Sequence, residues 1–127
     1  CNAAHTPILI VNDKQEITEL GQSHGMPLGL YPNKMYGEST VKIKRGDSII
    51  LYSDGVTEQL DNNKNNFGSK RLYSVVQDSS KLDVRMIDGE IDKSLVLFKG
   101  DANQTDDITL MVLQFKSKKK ARKTSLN

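Results

Sequence analysis

Apolar residues at the start of the chain recur in short runs, as they do in β-strands. The run at residues 8–11 is closed by Asn12 and Asp13, a natural turn pair. Residues 15–20 can return antiparallel to that run. The pattern therefore predicts a β-hairpin over residues 8–20.

Two further segments of the first half also have strand-like patterns. At residues 36–43, Val41 and Ile43 alternate with lysines, which predicts an extended segment with one wet and one dry face. Residues 49–52 form a continuous apolar run after a Gly-Asp turn signal, which predicts a buried strand. Together these segments predict a meander of antiparallel strands.

Helical spacing replaces this pattern in the second half. Residues 69–76 have helical spacing with Ser69 as a candidate N-cap, and residues 82–98 form the clearest helix, with Asp83 as its cap. Residues 108–115 predict a final strand. The longer helix carries one apolar stripe at steps of three and four residues, formed by Val84, Ile87, Ile91, Leu95 and Phe98. The predicted fold class is α+β.

Carboxylates stand at the ends of two predicted strands. Asp54 and Gly55 directly follow the buried strand at residues 49–52, and Asp106 and Asp107 directly precede the last strand. If these two strands are antiparallel neighbours, the carboxylates converge at one edge of the sheet. Clustered carboxylates repel one another unless a cation neutralises them, and their hard oxygen ligands suit Mg²⁺ or Mn²⁺.

A plainer interpretation of the same residues stays open at this point. Asp54-Gly55 is a common turn dipeptide, and Asp106-Asp107 is also consistent with a loop cap or a solvated pair. Gly55 either lets the backbone turn sharply or lets a ligand approach it closely, because glycine has no Cβ.

Other catalytic patterns are missing from the sequence. His5 precedes the first strand, and a lone histidine is more often a structural hydrogen-bonding residue than a catalyst. The sequence has no zinc-type Cys/His spacing, no glycine-rich phosphate loop and no nucleophile elbow.

Length and charge narrow the class of protein. The 127 residues suffice for one domain, and six of the 18 basic residues lie in a tail at residues 116–127. The rest of the chain carries 12 basic and 16 acidic residues, a net charge of about −4, which is unlike a nucleic-acid-binding face. No apolar run is long enough for membrane insertion, and a single cysteine favours a reducing compartment. Because the chain begins with Cys, we expect it to be part of a longer protein.

The order of several short motifs resembles a known family. Residues 1–115 resemble the C-terminal half of bacterial PPM-type (protein phosphatase 2C-like) serine/threonine phosphatases, in the branch of the sporulation phosphatase and the stress-response regulators. The motifs are Asn2-Ala3-Ala4-His5-Thr6-Pro7, Gly25-Met26-Pro27-Leu28-Gly29-Leu30, Tyr52-Ser53-Asp54-Gly55-Val56-Thr57-Glu58, Phe67-Gly68, Arg71-Leu72 and Thr105-Asp106-Asp107-Ile108-Thr109-Leu110.

The resemblance implies a fold, a cofactor and a reaction. The fold would be half of an antiparallel β-sandwich flanked by helices. The metal-site residues would be Asp54, Gly55, Asp106 and Asp107, with Asp54 and Asp106 as the catalytic carboxylates of a two-ion Mn²⁺ or Mg²⁺ centre. The metal ions would activate water to attack a phosphoserine or phosphothreonine. The expected partner is a cytoplasmic phosphorylated regulatory protein, such as an anti-sigma-factor antagonist.

Two departures from the family pattern limit this expectation. The family's Gly-Asp-x-x-Gly-His-Gly segment, which supplies a bridging aspartate, is missing, and Ala4 replaces a glycine. We therefore expect this part alone to bind metal weakly and to have little activity. The alternative is a degenerate or truncated member that acts as a non-catalytic binding module. Exposed sheet edges are also expected to favour a homodimer.

Overall fold

A computed structural model describes residues 2–21 and 25–116 of the chain. Within these residues, four strands form one antiparallel sheet in the order β2-β1-β3-β4. The elements are the strands β1 (Ile8–Val11), β2 (Ile17–Leu20), β3 (Ser48–Tyr52) and β4 (Leu110–Gln114), and the helices α1 (Asp54–Glu58), α2 (Gly68–Ser79) and α3 (Val84–Lys99).

The helices pack on one face of this sheet, called here the inner face. Alternation along the strands places Leu9, Ile50 and Tyr52 on that face, where they are buried. They form one core with buried helix residues that include Leu72, Val76, Ile87, Ile91 and Leu95. Burial of this amphipathic stripe is the main reason why α3 forms where its sequence pattern predicts it.

Two expectations about local structure are confirmed. The hairpin pairs Ile8 with Leu20 and Val11 with Ile17 in antiparallel register. Asp83 caps α3, because its carboxylate accepts a hydrogen bond from the backbone N–H of Arg85 at 3.2 Å.

The expected strand at residues 36–43 is wrong. The segment forms neither helix nor strand, and Val41, which was expected on a dry face, is 40% exposed. A simple meander is also wrong, because β3 pairs with β1 and with β4. Both edges of β3 are thereby occupied, so the segment cannot pair with β3, the strand beside which a meander would place it.

Two smaller predictions about chain direction also need correction. Ser69 does not cap α2, which begins at Gly68 after Phe67 and has no side-chain cap. Asp54 and Gly55 do not form an isolated turn, because they begin the short helix α1. Local residue preferences identified both places where the chain changes direction. They did not predict that α1 begins at the first place, or that α2 begins without a side-chain cap at the second.

The opposite face of the sheet, called here the outer face, is apolar and partly exposed. Ile49 and Leu51 of β3 lie beside Leu113 and Met111 of β4, and Met111 is 53% exposed. No second sheet forms among residues 2–21 and 25–116. The structure thus contains one sheet of the expected sandwich, and a homodimer through its edges stays a prediction.

The end of the described chain lies beside the start of α3. The Lys116 ammonium forms an ion pair with the Asp83 carboxylate at 2.7 Å, and this hydrogen bond holds the pKa of Asp83 below its ordinary value. The rest of the basic tail, at residues 117–127, lies outside the described residues. In the described part of the chain, no helix is long and apolar enough to cross a bilayer.

Candidate metal centre

Three chain segments meet where β1 begins, β3 ends and β4 begins; we call this region the site edge (residues 4–6, 53–55 and 105–109). The antiparallel register pairs Tyr52 with Leu110, and the Ser53 N–H donates to the Thr109 carbonyl oxygen at 2.9 Å. The condition on which the carboxylate prediction depended is confirmed, because β3 and β4 are antiparallel neighbours. Asp54 leaves the sheet at the same edge where Asp106 and Asp107 enter it.

The Ser53 side chain joins the two strand ends. Its hydroxyl donates to the Asp107 carbonyl oxygen at 3.0 Å and accepts from the Thr109 N–H at 2.9 Å. A hydroxyl can donate one hydrogen bond and accept others, so a serine here can bind a carbonyl and an amide of the facing segment. Sequence reasoning did not single out Ser53, because the pattern predicted only a turn after the strand and could not show which backbone this serine faces.

Gly55 allows a close backbone approach at the site edge. It is buried, and a Cβ placed on it would lie 2.4 Å from the Asp107 carbonyl oxygen, which is too short for any real contact. The backbone of Gly55 is helical, so glycine is needed here because it has no side chain, and not because of a left-handed φ. Its role as a metal ligand stays a prediction.

Gln59 holds the loop that carries Asp106. Its buried amide Nε2 donates to the Asn103 carbonyl oxygen at 3.0 Å, and the Thr105 hydroxyl accepts from the Leu60 N–H at 3.1 Å. A buried amide needs partners for its donors and its acceptor, so these bonds fix both Gln59 and the loop. Sequence reasoning missed Gln59, because hydropathy patterns cannot identify a polar side chain that folding buries.

The two predicted catalytic carboxylates are exposed and retain free acceptor capacity. Asp54 Oδ1 accepts from the Gly55 N–H at 3.0 Å, and Asp106 Oδ1 accepts from the Asp107 N–H at 2.7 Å. Neither carboxylate forms an ion pair with any residue that the structure describes. Oxygen donors without a protein cation fit Mg²⁺ or Mn²⁺ by type.

This donor set is small. Among the described residues, no group of three or more His, Cys, Asp or Glu side chains could hold a metal ion. The backbone carbonyl of Asp107 accepts a hydrogen bond from Ser53 and so helps to hold the two strand ends together. The roles of Asp54, Asp106 and Asp107 as metal ligands stay predictions. Further oxygen ligands from elsewhere would be needed to complete such a centre.

The segment before β1 is held at the same edge. The Asn2 side chain accepts from the His5 N–H at 2.7 Å and donates to the carbonyl oxygens of His5 and Gly21 at 2.9 and 2.6 Å. Between them, Ala4 has a φ of 66°, in the left-handed region that favours glycine. Ala4, which replaces the family's glycine, therefore occupies a position whose backbone conformation favours glycine.

Two tyrosines and a glutamate interact with one another beside the core. Burial raises the pKa of Tyr52, and the nearby Glu19 carboxylate raises it further. Burial also raises the pKa of Tyr73, whose hydroxyl donates to Glu19 Oε1 at 2.5 Å. Both phenols stay protonated at neutral pH and therefore act as hydrogen-bonding groups of the core.

Comparison with known proteins gives the same fold. Protein IcfG of Synechocystis sp. is 30% identical over 112 residues, which are 88% of this chain and 17% of IcfG. The SiaA-PP2C domain of Pseudomonas aeruginosa matches with a TM-score of 0.76 and 22% identity, over 89% of this chain and 44% of that chain. The Mn-presoaked phosphatase domain of the cell fate determinant SpoIIE from Bacillus subtilis matches with a TM-score of 0.66 and 17% identity. This match covers 90% of this chain and 48% of that chain.

These matches cover almost all of this chain and less than half of each known protein. At their low identities, the two solved structures show the fold alone. A family model described as Stage II sporulation protein E (SpoIIE) matches residues 1–116. The chain therefore belongs to the SpoIIE family and forms part of a PP2C-type phosphatase domain.

Proposed function

We propose that the protein containing this chain is a metal-dependent phosphatase that acts on phosphoserine or phosphothreonine of a regulatory protein. The observation that carries the proposal is that the segments bearing Asp54 and Asp106 meet at one edge of the sheet. The β3-β4 register brings these segments together, and Gly55 lies close to the Asp107 backbone. The site edge lies in a chain of the SpoIIE family.

The residues of the site edge would hold and orient the metal ligands. Asp54 and Asp106 would bind Mn²⁺ or Mg²⁺ through their free carboxylate oxygens, while Ser53 and Gln59 keep the two backbones in place. When bound, the ions supply an activated water and neutralise charge on the phosphoryl group. No side-chain nucleophile is required, which agrees with the absence of a nucleophile pattern in the sequence.

The substrate class is inferred from the family resemblance. An anti-sigma-factor antagonist, or a similar cytoplasmic partner-switching protein, is the regulatory phosphoprotein that we propose. A phosphoserine on such a protein would have to reach the site edge from solvent, and the carboxylates of Asp54 and Asp106 are exposed there.

We propose that this chain has little activity without the rest of the domain. Its described residues contain no group of three metal-binding side chains, and the sequence lacks the Gly-Asp-x-x-Gly-His-Gly segment that supplies the family's bridging aspartate. The same observation favours a second candidate, a family member that binds its partner without hydrolysis. The segment preceding this chain discriminates them, because an intact Gly-Asp-x-x-Gly-His-Gly there supports the enzyme.

The direct test uses the full-length protein with a phosphoserine peptide substrate and added Mn²⁺ or Mg²⁺. Asp54→Asn should lower turnover by more than about 100-fold, because even a residue that only supports a metal ligand is worth about 10–100-fold. Asp78→Asn, which changes an exposed carboxylate of α2, is the matched control and should retain activity. Thermal unfolding should show that both variants are folded. Full activity of the Asp54→Asn protein would reject the site, and metal-independent hydrolysis would reject the mechanism.

A further inference from the structure

We propose that His5 binds the phosphoryl group of the substrate through its Nε2 atom. The inference rests on the proposed phosphatase function and adds a residue to it. It concerns a side chain for which the sequence alone favours a structural role.

A contact of the neighbouring Thr6 brings His5 to the site edge. The β1-β3 ladder ends at the pair Leu9-Ile50, and β1 begins at Ile8, three residues after His5. Beyond this ladder, the Thr6 hydroxyl donates to the Tyr52 carbonyl oxygen at the end of β3. His5 directly precedes Thr6 and therefore lies near the end of β3, where Asp54 follows two residues after Tyr52.

The local hydrogen bonds determine which imidazole nitrogen is free. Nδ1 of His5 lies 3.1 Å from the Thr6 carbonyl oxygen and 3.1 Å from the Thr6 hydroxyl oxygen. The carbonyl can only accept, and the hydroxyl hydrogen is already donated to Tyr52, so Nδ1 must carry the hydrogen. In the neutral ring, Nε2 is then an unprotonated acceptor.

That nitrogen is available to a ligand. His5 is exposed, and none of the residues that the structure describes forms a hydrogen bond with its Nε2. Asn2 binds the backbone of His5 and Thr6 binds the ring, so the imidazole is anchored on one side and open on the other. An anchored imidazole loses little further freedom on binding, which favours affinity.

Phosphate fits this nitrogen better than the metal does. Mg²⁺ and Mn²⁺ prefer oxygen ligands, and His5 does not form a group of three metal-binding side chains with the carboxylates. A phosphoryl group that carries one proton can donate a hydrogen bond from that oxygen to Nε2. The resulting hydrogen bond is charge-assisted and therefore stronger than a neutral one.

Two variants separate this role from a structural one. In His5→Asn the amide stands at the position of Nδ1 and can keep the Thr6 contact, whereas in His5→Gln it reaches the position of Nε2. Binding of inorganic phosphate to the Mn²⁺-loaded full-length protein is measured by calorimetry, together with KM, kcat and the unfolding temperature. His5→Asn should weaken phosphate binding by roughly tenfold or more without a loss of Tm, and His5→Gln should recover part of the affinity.

The outcomes distinguish this inference from the proposed function. Wild-type phosphate affinity in His5→Asn, or no recovery in His5→Gln, would overturn the role of Nε2. A matching fall in Tm and affinity in both variants would also overturn it, since that result indicates a structural residue. Phosphate binding that depends on Nε2 in a wild-type protein without turnover would support the inference and reject the phosphatase. A wild-type protein that neither binds inorganic phosphate nor hydrolyses the phosphoserine peptide would reject both the inference and the proposed function.

Discussion

The core under the helices and the site edge are stabilised in different ways. In the core, Leu9, Ile50 and Ile91 are fully buried, and apolar contact holds them. At the site edge, Asp54 and Asp106 are exposed, and their positions depend on the hydrogen bonds and the close backbone approach around them.

This difference determines what a substitution should do in each region. Apolar burial is non-directional and roughly proportional to area, so a core substitution should lower stability while the backbone course is kept. Hydrogen bonds and close backbone contacts depend on distance and angle. A small change at the site edge should therefore affect metal binding at the proposed centre more than it affects global stability.

The largest expected effect on stability is in the core. Ile91→Ala on α3 should lower the free energy of unfolding by about 2–5 kcal/mol, because it removes buried methyl groups and leaves a cavity. Leu97→Ala on the same helix is the matched control; that side chain is 78% exposed, and its loss should change stability by less than about 0.5 kcal/mol. Equilibrium urea unfolding measures both. Equal losses would contradict the assignment of the inner face.

A second comparison uses two helical glycines. Gly55→Ala should cost about 1–3 kcal/mol, because the added Cβ must displace the Asp107 carbonyl, and Mn²⁺ affinity should fall with it. Gly89→Ala in α3 meets open space and should instead stabilise the protein by about 0.5–1 kcal/mol, since alanine favours the helix. Urea unfolding and a Mn²⁺ titration of each variant check this. Unchanged Mn²⁺ affinity in Gly55→Ala would show that the approach does not position the carboxylates.

The smallest expected effect concerns the segment before β1. Ala4→Gly should stabilise the protein by up to about 1 kcal/mol, because glycine relieves a left-handed φ of 66° while it adds freedom to the unfolded chain. Ala102→Gly is the control; Ala102 does not have a positive φ, so that change should be neutral or destabilising. Thermal unfolding distinguishes the two. Destabilisation by Ala4→Gly would show that the strain at this position is not significant.

Elements that depend on local patterns were predictable from the sequence, whereas features that depend on contacts between distant segments were not. The hairpin, α3 and its Asp83 cap were predictable because each depends on local periodicity and nearby hydrogen bonds. The strand expected at residues 36–43 failed because alternation cannot reveal whether a neighbouring strand is present. At the site, Asp54 and Asp106 were visible as carboxylates at strand ends, but Gln59 was not, because only folding buries it.

The sequence by itself determined the class of fold, the family and the chemical type of the candidate ligands, because these depend on periodicity and on the order of short motifs. Only the tertiary structure decided that β3 lies between β1 and β4, and that Gly55 is required for the approach of Asp107. It also decided that Nδ1 of His5 contacts Thr6, which leaves Nε2 without a hydrogen-bond partner among residues 2–21 and 25–116. These properties depend on contacts between residues that are distant along the chain, and no local pattern records such contacts.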